Sequence, residues 1–198
     1  MARGHVQDAH RLAAQAIDSL GLKNFNLHGA MSELGDVLEA EGDLQGARKQ
    51  YQGAMEIRQA RGRAVAVAES KASLGDLALE EGHPDQAEPF LRFAIAEFEK
   101  EKAYPDAAGA YAVLSHALLK PGKPDEARKA VQRATQLSLT SPDPALKLPV
   151  AIQTARIDAA AAQTATGPAG LVAAVQRLRS VIASPESWVT TRSNARLD

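Results

Sequence analysis

The chain has no cysteine, which excludes disulfides and thiolate zinc sites. Aromatic residues make up only 4% of it, against 45% hydrophobic residues overall. Alanine and leucine must therefore build the core, which favours closely packed helices over a β-sandwich rich in aromatic and β-branched side chains. Neither sign of charge is in excess: 23 basic and 24 acidic side chains leave a formal net charge of -1. No general attraction to nucleic acid or anionic membrane follows from that balance. No stretch approaches the roughly 18 uninterrupted apolar residues of a membrane span, and the opening Met1–Asp8 lacks the apolar run of a signal peptide. A soluble, cytoplasmic chain is the simplest reading. With 198 residues it is long enough to bury a substantial core.

What is present is a phrase repeated every 40 residues. Leu34-Gly35, Leu74-Gly75 and Leu114-Ser115 each open it. A glycine follows (Gly42, Gly82, Gly122), then an alanine (Ala47, Ala87, Ala127), a large residue (Tyr51, Leu91, Val131) and a second alanine (Ala54, Ala94, Ala134). Small and large residues in fixed places mean one packing unit used several times. Each unit reads as two antiparallel helices. Met31, Leu34 and Leu38 recur at three and four residues, Gly42-Asp43 breaks the pattern, and Leu44, Ala47, Tyr51, Ala54 and Met55 resume it.

In Gly82-His83-Pro84-Asp85 and Gly122-Lys123-Pro124-Asp125, glycine suits a left-handed helix end and proline the first turn of the next helix. Asp85 and Asp125 would then favour the helix dipole. Gly35, Gly75 and Ser115, set against Ala47, Ala87 and Ala127, would let paired helices approach closely. Two residues fit less well. Pro89 falls inside an expected helix, and Lys71 stands where Met31 and Tyr111 stand, so that unit is expected to pack through Ala72 and Leu74 instead.

The expected organisation is a second helix of a truncated N-terminal repeat over residues 1–25, where Gly4 and Ala9 join the pattern halfway. Three tandem repeats follow over 26–140, then a divergent helical hairpin over 141–183 (Leu148 to Ala165 and Leu171 to Ala183). A capping helix or flexible tail occupies 184–198. Trp188 in that last segment reads as a lid over the hairpin or as an anchor for a partner.

Leu-Gly, a turn glycine, then alanine, a large residue and alanine resembles the tetratricopeptide repeat over roughly residues 4–140. The long period resembles the repeats of kinesin light chains and of arrays attached to bacterial regulators. Extra residues are expected to lengthen the helices around Ile57–Ala68 and Phe98–Ala108. Departures are the aromatic near the start of a unit, found only as Tyr111, and the closing proline, replaced by Gln59, Glu99 and Leu139. The resemblance implies an all-α fold, an α-α superhelix forming a right-handed solenoid of antiparallel hairpins. It also implies a non-catalytic module that binds a peptide or partner helix in a concave groove lined by the first helices. The alternative is a regulatory or sensor array of a larger bacterial signalling protein with a kinase, cyclase or transcription-regulator domain.

By the same resemblance the groove would include Ser32, Glu33, Asp36, Glu39, Ala40, Glu69, Ala72, Ser73, Asp76, Glu80, Ala112, Val113, His116 and Lys120. Asp36, Asp76 and His116 share one repeat position. They form either an acidic stripe for a basic or polar segment or an ordinary solvated face. Co-chaperones of this family that grip acidic C-terminal tails use lysine, arginine and asparagine there. Ser32, Asp36, Ser73, Gly109 and Val113 cannot clamp an anion, so no binding to such tails is expected. Catalysis finds little support. His5, His10, His28, His83 and His116 are scattered without ligand spacing, Glu80-Glu81 reads as surface charge, and Gly167-Pro168-Ala169-Gly170 lacks a phosphate-loop lysine. No metal or cofactor is expected, and the partner is a protein or peptide rather than nucleic acid or membrane. Self-association through the open N-terminal end is a further expectation.

Overall fold

The computed structural model describes residues 8, 10–12, 14–15, 26–119, 122–141, 144–165, 172, 175–176 and 179. Its elements are α1 (Leu27–Glu41), α2 (Leu44–Ala60), α3 (Ala64–Glu80), α4 (Pro84–Lys100), α5 (Tyr104–Leu119), α6 (Pro124–Ser138) and α7 (Pro144–Ala165). Among the described residues no helix is long and apolar enough to cross a membrane.

The period has a simple structural origin. Helices α2, α3 and α4 are each 17 residues long, and three-residue turns separate them. The turns within and between repeats are built alike. Gly42, Gly62, Gly82 and Gly122 have φ of 85°, 65°, 83° and 76°, and Lys102 takes the same left-handed place at 59°. At each turn two N–H groups bond back to the preceding helix, as in Gly82 N–H to Leu79 O at 3.0 Å and His83 N–H to Ala78 O at 2.8 Å. The last carbonyls of each helix are thereby satisfied. Turns at 61–63 and 101–103 interrupt both spans where continuous lengthening was expected; the extra residues are shared among helices on either side. Asp43 caps α2 by accepting from Gly46 N–H at 2.9 Å. Pro84 and Pro124 are first helical residues, and Asp85 and Asp125 lie in those first turns. Pro89 is exposed within α4, where one backbone bond is forgone and the helix continues.

The chain divides into two compact units, Met1–Glu97 and Phe98–Asp198. In the first, Leu34, Leu38, Ala47, Tyr51, Leu74 and Leu77 form a buried cluster, with Leu44, Met55 and Phe90 packed against it. The marked alanines Ala47, Ala54, Ala87 and Ala94 are fully buried. A Cβ on Gly35 would lie 2.5 Å from Tyr51 Cε1, and one on Gly75 would lie 2.8 Å from Leu91 Cγ. The glycine of the first two phrases thus makes room chiefly for the large residue, not for the alanine set opposite it in the sequence reading. Leu74 is buried in this cluster as expected, while Lys71 stays outside it with its ammonium 3.4 Å from the centroid of the exposed Phe93 ring. The ion pair Arg48–Glu81 ties α2 to the end of α3, and His10 Nδ1 lies 2.8 Å from Glu41 Oε2.

In the second unit α5 packs on α6, and α7 packs against both. Ala112, Ala134 and Val150 form its buried cluster, with Tyr111 against it. Leu114, Ala127 and Val131 are buried as their repeat positions require. Ser115, fully buried, donates to Ala112 O at 2.6 Å. Helix α7 begins at Pro144, four residues before the expected start at Leu148. The second half of the expected hairpin is described only at residues 172, 175, 176 and 179, which are helical; Gly167–Gly170 and Trp188 lie outside the described residues.

Candidate functional site

The candidate site is the face that α1 and α3, successive first helices, contribute in the first unit. Asp36 and Glu39 come from α1, and Asp76 and Glu80 from α3. Asp36 and Asp76 share one repeat position, three- and four-residue spacing adds Glu39 and Glu80 on the same helix faces, and Glu39 lies within electrostatic reach of the other three acids. From beneath, the ring of Tyr51 on α2 passes the gap left by Gly35. Its hydroxyl lies 2.7 Å from Asp36 Oδ1 and 2.6 Å from Glu39 Oε2. One hydroxyl proton stands between two carboxyl groups.

The surroundings shift these groups. Burial raises the Glu39 carboxyl above its ordinary value; the Tyr51 hydrogen bond opposes this, while Glu80, Asp76 and Asp36 add to it. Asp76 keeps an exposed edge, but crowding by the protein, and then Glu80, raises it as well. The Tyr51 hydroxyl is pushed far up by burial and by its two carboxylate partners. Glu39 is thereby coupled electrostatically to Asp36 on its own helix and to Asp76 and Glu80 on α3.

Helix polarity sharpens this. Neither α1 nor α3 has an acid in its first turn or a base in its last, and Glu39, Glu41 and Glu80 crowd their C-terminal ends. By contrast α4, α5 and α6 carry Asp85, Asp106, and Asp125 with Glu126 in their first turns. Acids at a C-terminus oppose the helix dipole at roughly 0.3–1 kcal/mol each.

The remaining candidates are placed differently. Glu33 is exposed on α1. Glu69 is engaged by Arg58 Nη2 at 3.4 Å. His116 is half-buried on α5 in the second unit, and Lys120 lies outside the described residues. Ala112, expected on the groove, is instead buried against Ala134 and Val150. Among the described residues no three His, Asp or Glu side chains are placed to hold a metal ion.

Two features escaped the sequence reading. One is the Tyr51 hydroxyl, whose signal was a tyrosine where the other repeats carry Leu91 and Val131. The other is Arg58, buried at 6% exposure. It donates to Ser70 Oγ at 2.6 Å and lies 3.4 Å from His28 Nδ1. Burial lowers the Arg58 guanidinium, with Glu69 opposing. Burial lowers His28 too, and Arg58, Arg63 and Arg61 add to that.

Two tetratricopeptide repeat models match the chain, one over residues 27–100 and the other over 78–145. The chain belongs to the tetratricopeptide repeat family, whose members are generally protein-interaction modules and non-catalytic scaffolds. Among solved structures it is similar to BtubC (BKLC) from P. vanneervenii, with a TM-score of 0.72 and 19% identity over 100% of this chain and 78% of that one. It is also similar to a Podosopora anserina array of nearly identical TPR-like repeats bearing a kinesin-light-chain name. That TM-score is 0.66 at 18% identity, covering 92% of this chain and 89% of that one. A point variant of the same array gives 0.68. These likenesses speak to the fold, an all-α superhelix of antiparallel helical hairpins. No curated protein sequence matches the chain.

Proposed function

We propose that the chain is a non-catalytic interaction module whose α1–α3 face receives a basic segment of a partner protein. The observation that carries this is the convergence of Asp36, Glu39, Asp76 and Glu80 from two successive first helices. Such a face gains little from an apolar or acidic partner. A lysine- or arginine-bearing segment relieves both the mutual repulsion of the acids and their conflict with the helix dipoles. Lysine ammonium groups reach such carboxylates as point charges, and arginine can bridge two oxygens.

The test is calorimetric titration with a lysine- and arginine-rich peptide, an acidic peptide of equal length, and the Asp36→Lys/Asp76→Lys variant. The basic peptide should bind the native chain with an affinity that falls with added salt. The acidic peptide should not bind, and the variant should lose at least tenfold, about 1.4 kcal/mol. Equal binding by native chain and variant would overturn the proposal.

A further inference from the structure

We propose that Asp36, Tyr51 and Glu39 share one titratable proton beyond the hydroxyl's own, forming a proton-linked clasp between α1 and α2. The argument is stoichiometric. The Tyr51 oxygen sits within hydrogen-bond distance of both carboxyl groups, at 2.7 and 2.6 Å, yet it has one proton to donate. Two contacts this short are both strong when one carboxyl brings a proton of its own, whereas a single proton split between two carboxylates makes a weaker three-centre bond. Asp36 is the more exposed of the two acids and Glu39 the less. The loaded clasp therefore has Glu39 donating to the Tyr51 oxygen while Tyr51 donates to the Asp36 carboxylate. When Glu39 loses its proton to solvent, Tyr51 can serve only one partner at a time.

The groups facing the clasp favour the loaded form. From α3, Asp76 and Glu80 make a further negative charge at Glu39 costly. From α2, Arg58 faces Asp36 as a charge of opposite sign. Tyr51 itself is only 1% exposed, so no bulk water replaces a missing hydrogen bond to its oxygen. The repeat register marks the device as particular to this repeat, because Leu91 and Val131 have no hydroxyl to share. Its bearing on partner choice rests on the function proposed above: a cationic segment on this face would expel the proton.

Carboxyl-detected NMR titration of the full chain tests the clasp in the native protein, Asp36→Asn, Tyr51→Phe and the double variant. Asp36→Asn frees the hydroxyl for Glu39 and should lower the Glu39 midpoint by about one pH unit. That shift should shrink markedly in the Tyr51→Phe background, where only the direct charge effect of Asp36 on Glu39 remains. A shift of equal size in both backgrounds would mean plain charge repulsion and overturn the clasp, as would no shift in either. Calorimetry of basic-peptide binding in buffers of different ionisation enthalpy separates the two proposals. Proton release that is lost with Tyr51→Phe supports the link to binding. Binding without proton release overturns that link and leaves the interaction module standing. Absence of binding overturns the module, and the NMR coupling alone then decides the clasp.

Discussion

Residues 58 and 98 occupy the same place in successive repeats. Both are buried, Arg58 at 6% exposure and Phe98 at 2%. One is the most polar of side chains and the other among the least. The arginine is tolerated because its neighbours are matched to it: Ser70 accepts at 2.6 Å, Glu69 supplies a counter-charge at 3.4 Å, and His28 lies against Nε. Forty residues on, the counterparts of His28, Glu69 and Ser70 are Ala68, Gly109 and Ala110, none of which can answer a guanidinium. The position demands bulk. Charge is admissible only where every surrounding group has changed with it. The turns that follow differ in the opposite sense. Gly62 closes the arginine-bearing helix at φ 65° without strain, and Lys102 closes the phenylalanine-bearing one at φ 59° against its own preference.

The sharpest way to break this comparison is Phe98→Arg, which buries a charge with no partners. It should cost about 5 kcal/mol and be read as a large fall in the urea midpoint. A loss under about 1 kcal/mol would show that the matched neighbours at Arg58 are unnecessary. Next comes Arg58→Ala, which strands Ser70 and leaves a void, at about 2–3 kcal/mol. Replacing the layer together, by Arg58→Met with His28→Ala and Ser70→Ala, should instead be neutral or stabilising by about 1 kcal/mol. If the combined variant is as unstable as Arg58→Ala, the layer is held by something other than mutual matching. The turns give smaller effects: Lys102→Gly should stabilise by roughly 0.5–1 kcal/mol and Gly62→Lys should destabilise by about 1 kcal/mol, both by thermal unfolding.

The smallest effect concerns pH. Burial and the nearby arginines hold the His28 imidazole below the ordinary histidine range in the folded chain, so the unfolded chain binds more protons in that window. Its contribution to stability is present above the unfolded value and is lost as pH falls through the folded one. His28→Ala should flatten that pH dependence, read from urea midpoints measured across the window. An unchanged slope would place the pH sensitivity elsewhere.

The hairpin pattern was legible because it depends on volume, and volume shows in residue type: Gly35 and Gly75 set against Ala47 and Ala87 suggest close packing without a structure, although the side chains that fill the glycine gaps, Tyr51 and Leu91, were not foreseen. Asp36 and Asp76 were legible as a pair because they share one repeat position. Arg58 was not, since a single arginine in a helix reads as solvated until its distance from Phe98 is counted. Nor was the second role of Tyr51. As a large core residue it satisfied the pattern completely, and nothing in the spacing says where a hydroxyl at the far end of the ring will emerge. Lys102 was hidden for a related reason: glycine announces a left-handed turn, and lysine in the same conformation does not.

The near-identical turns at Gly42, Gly62, Gly82 and Gly122 also set rules for editing the gene. Because the backbone leaves each helix by the same left-handed step, residues 43–82 can be excised so that Gly42 runs directly into His83, with the junction chemistry unaltered. Removing 43–62 would join equally good ends but put a first helix where a second belongs, facing its apolar stripe the wrong way. The molecule is punctuated every 20 residues and meaningful only every 40.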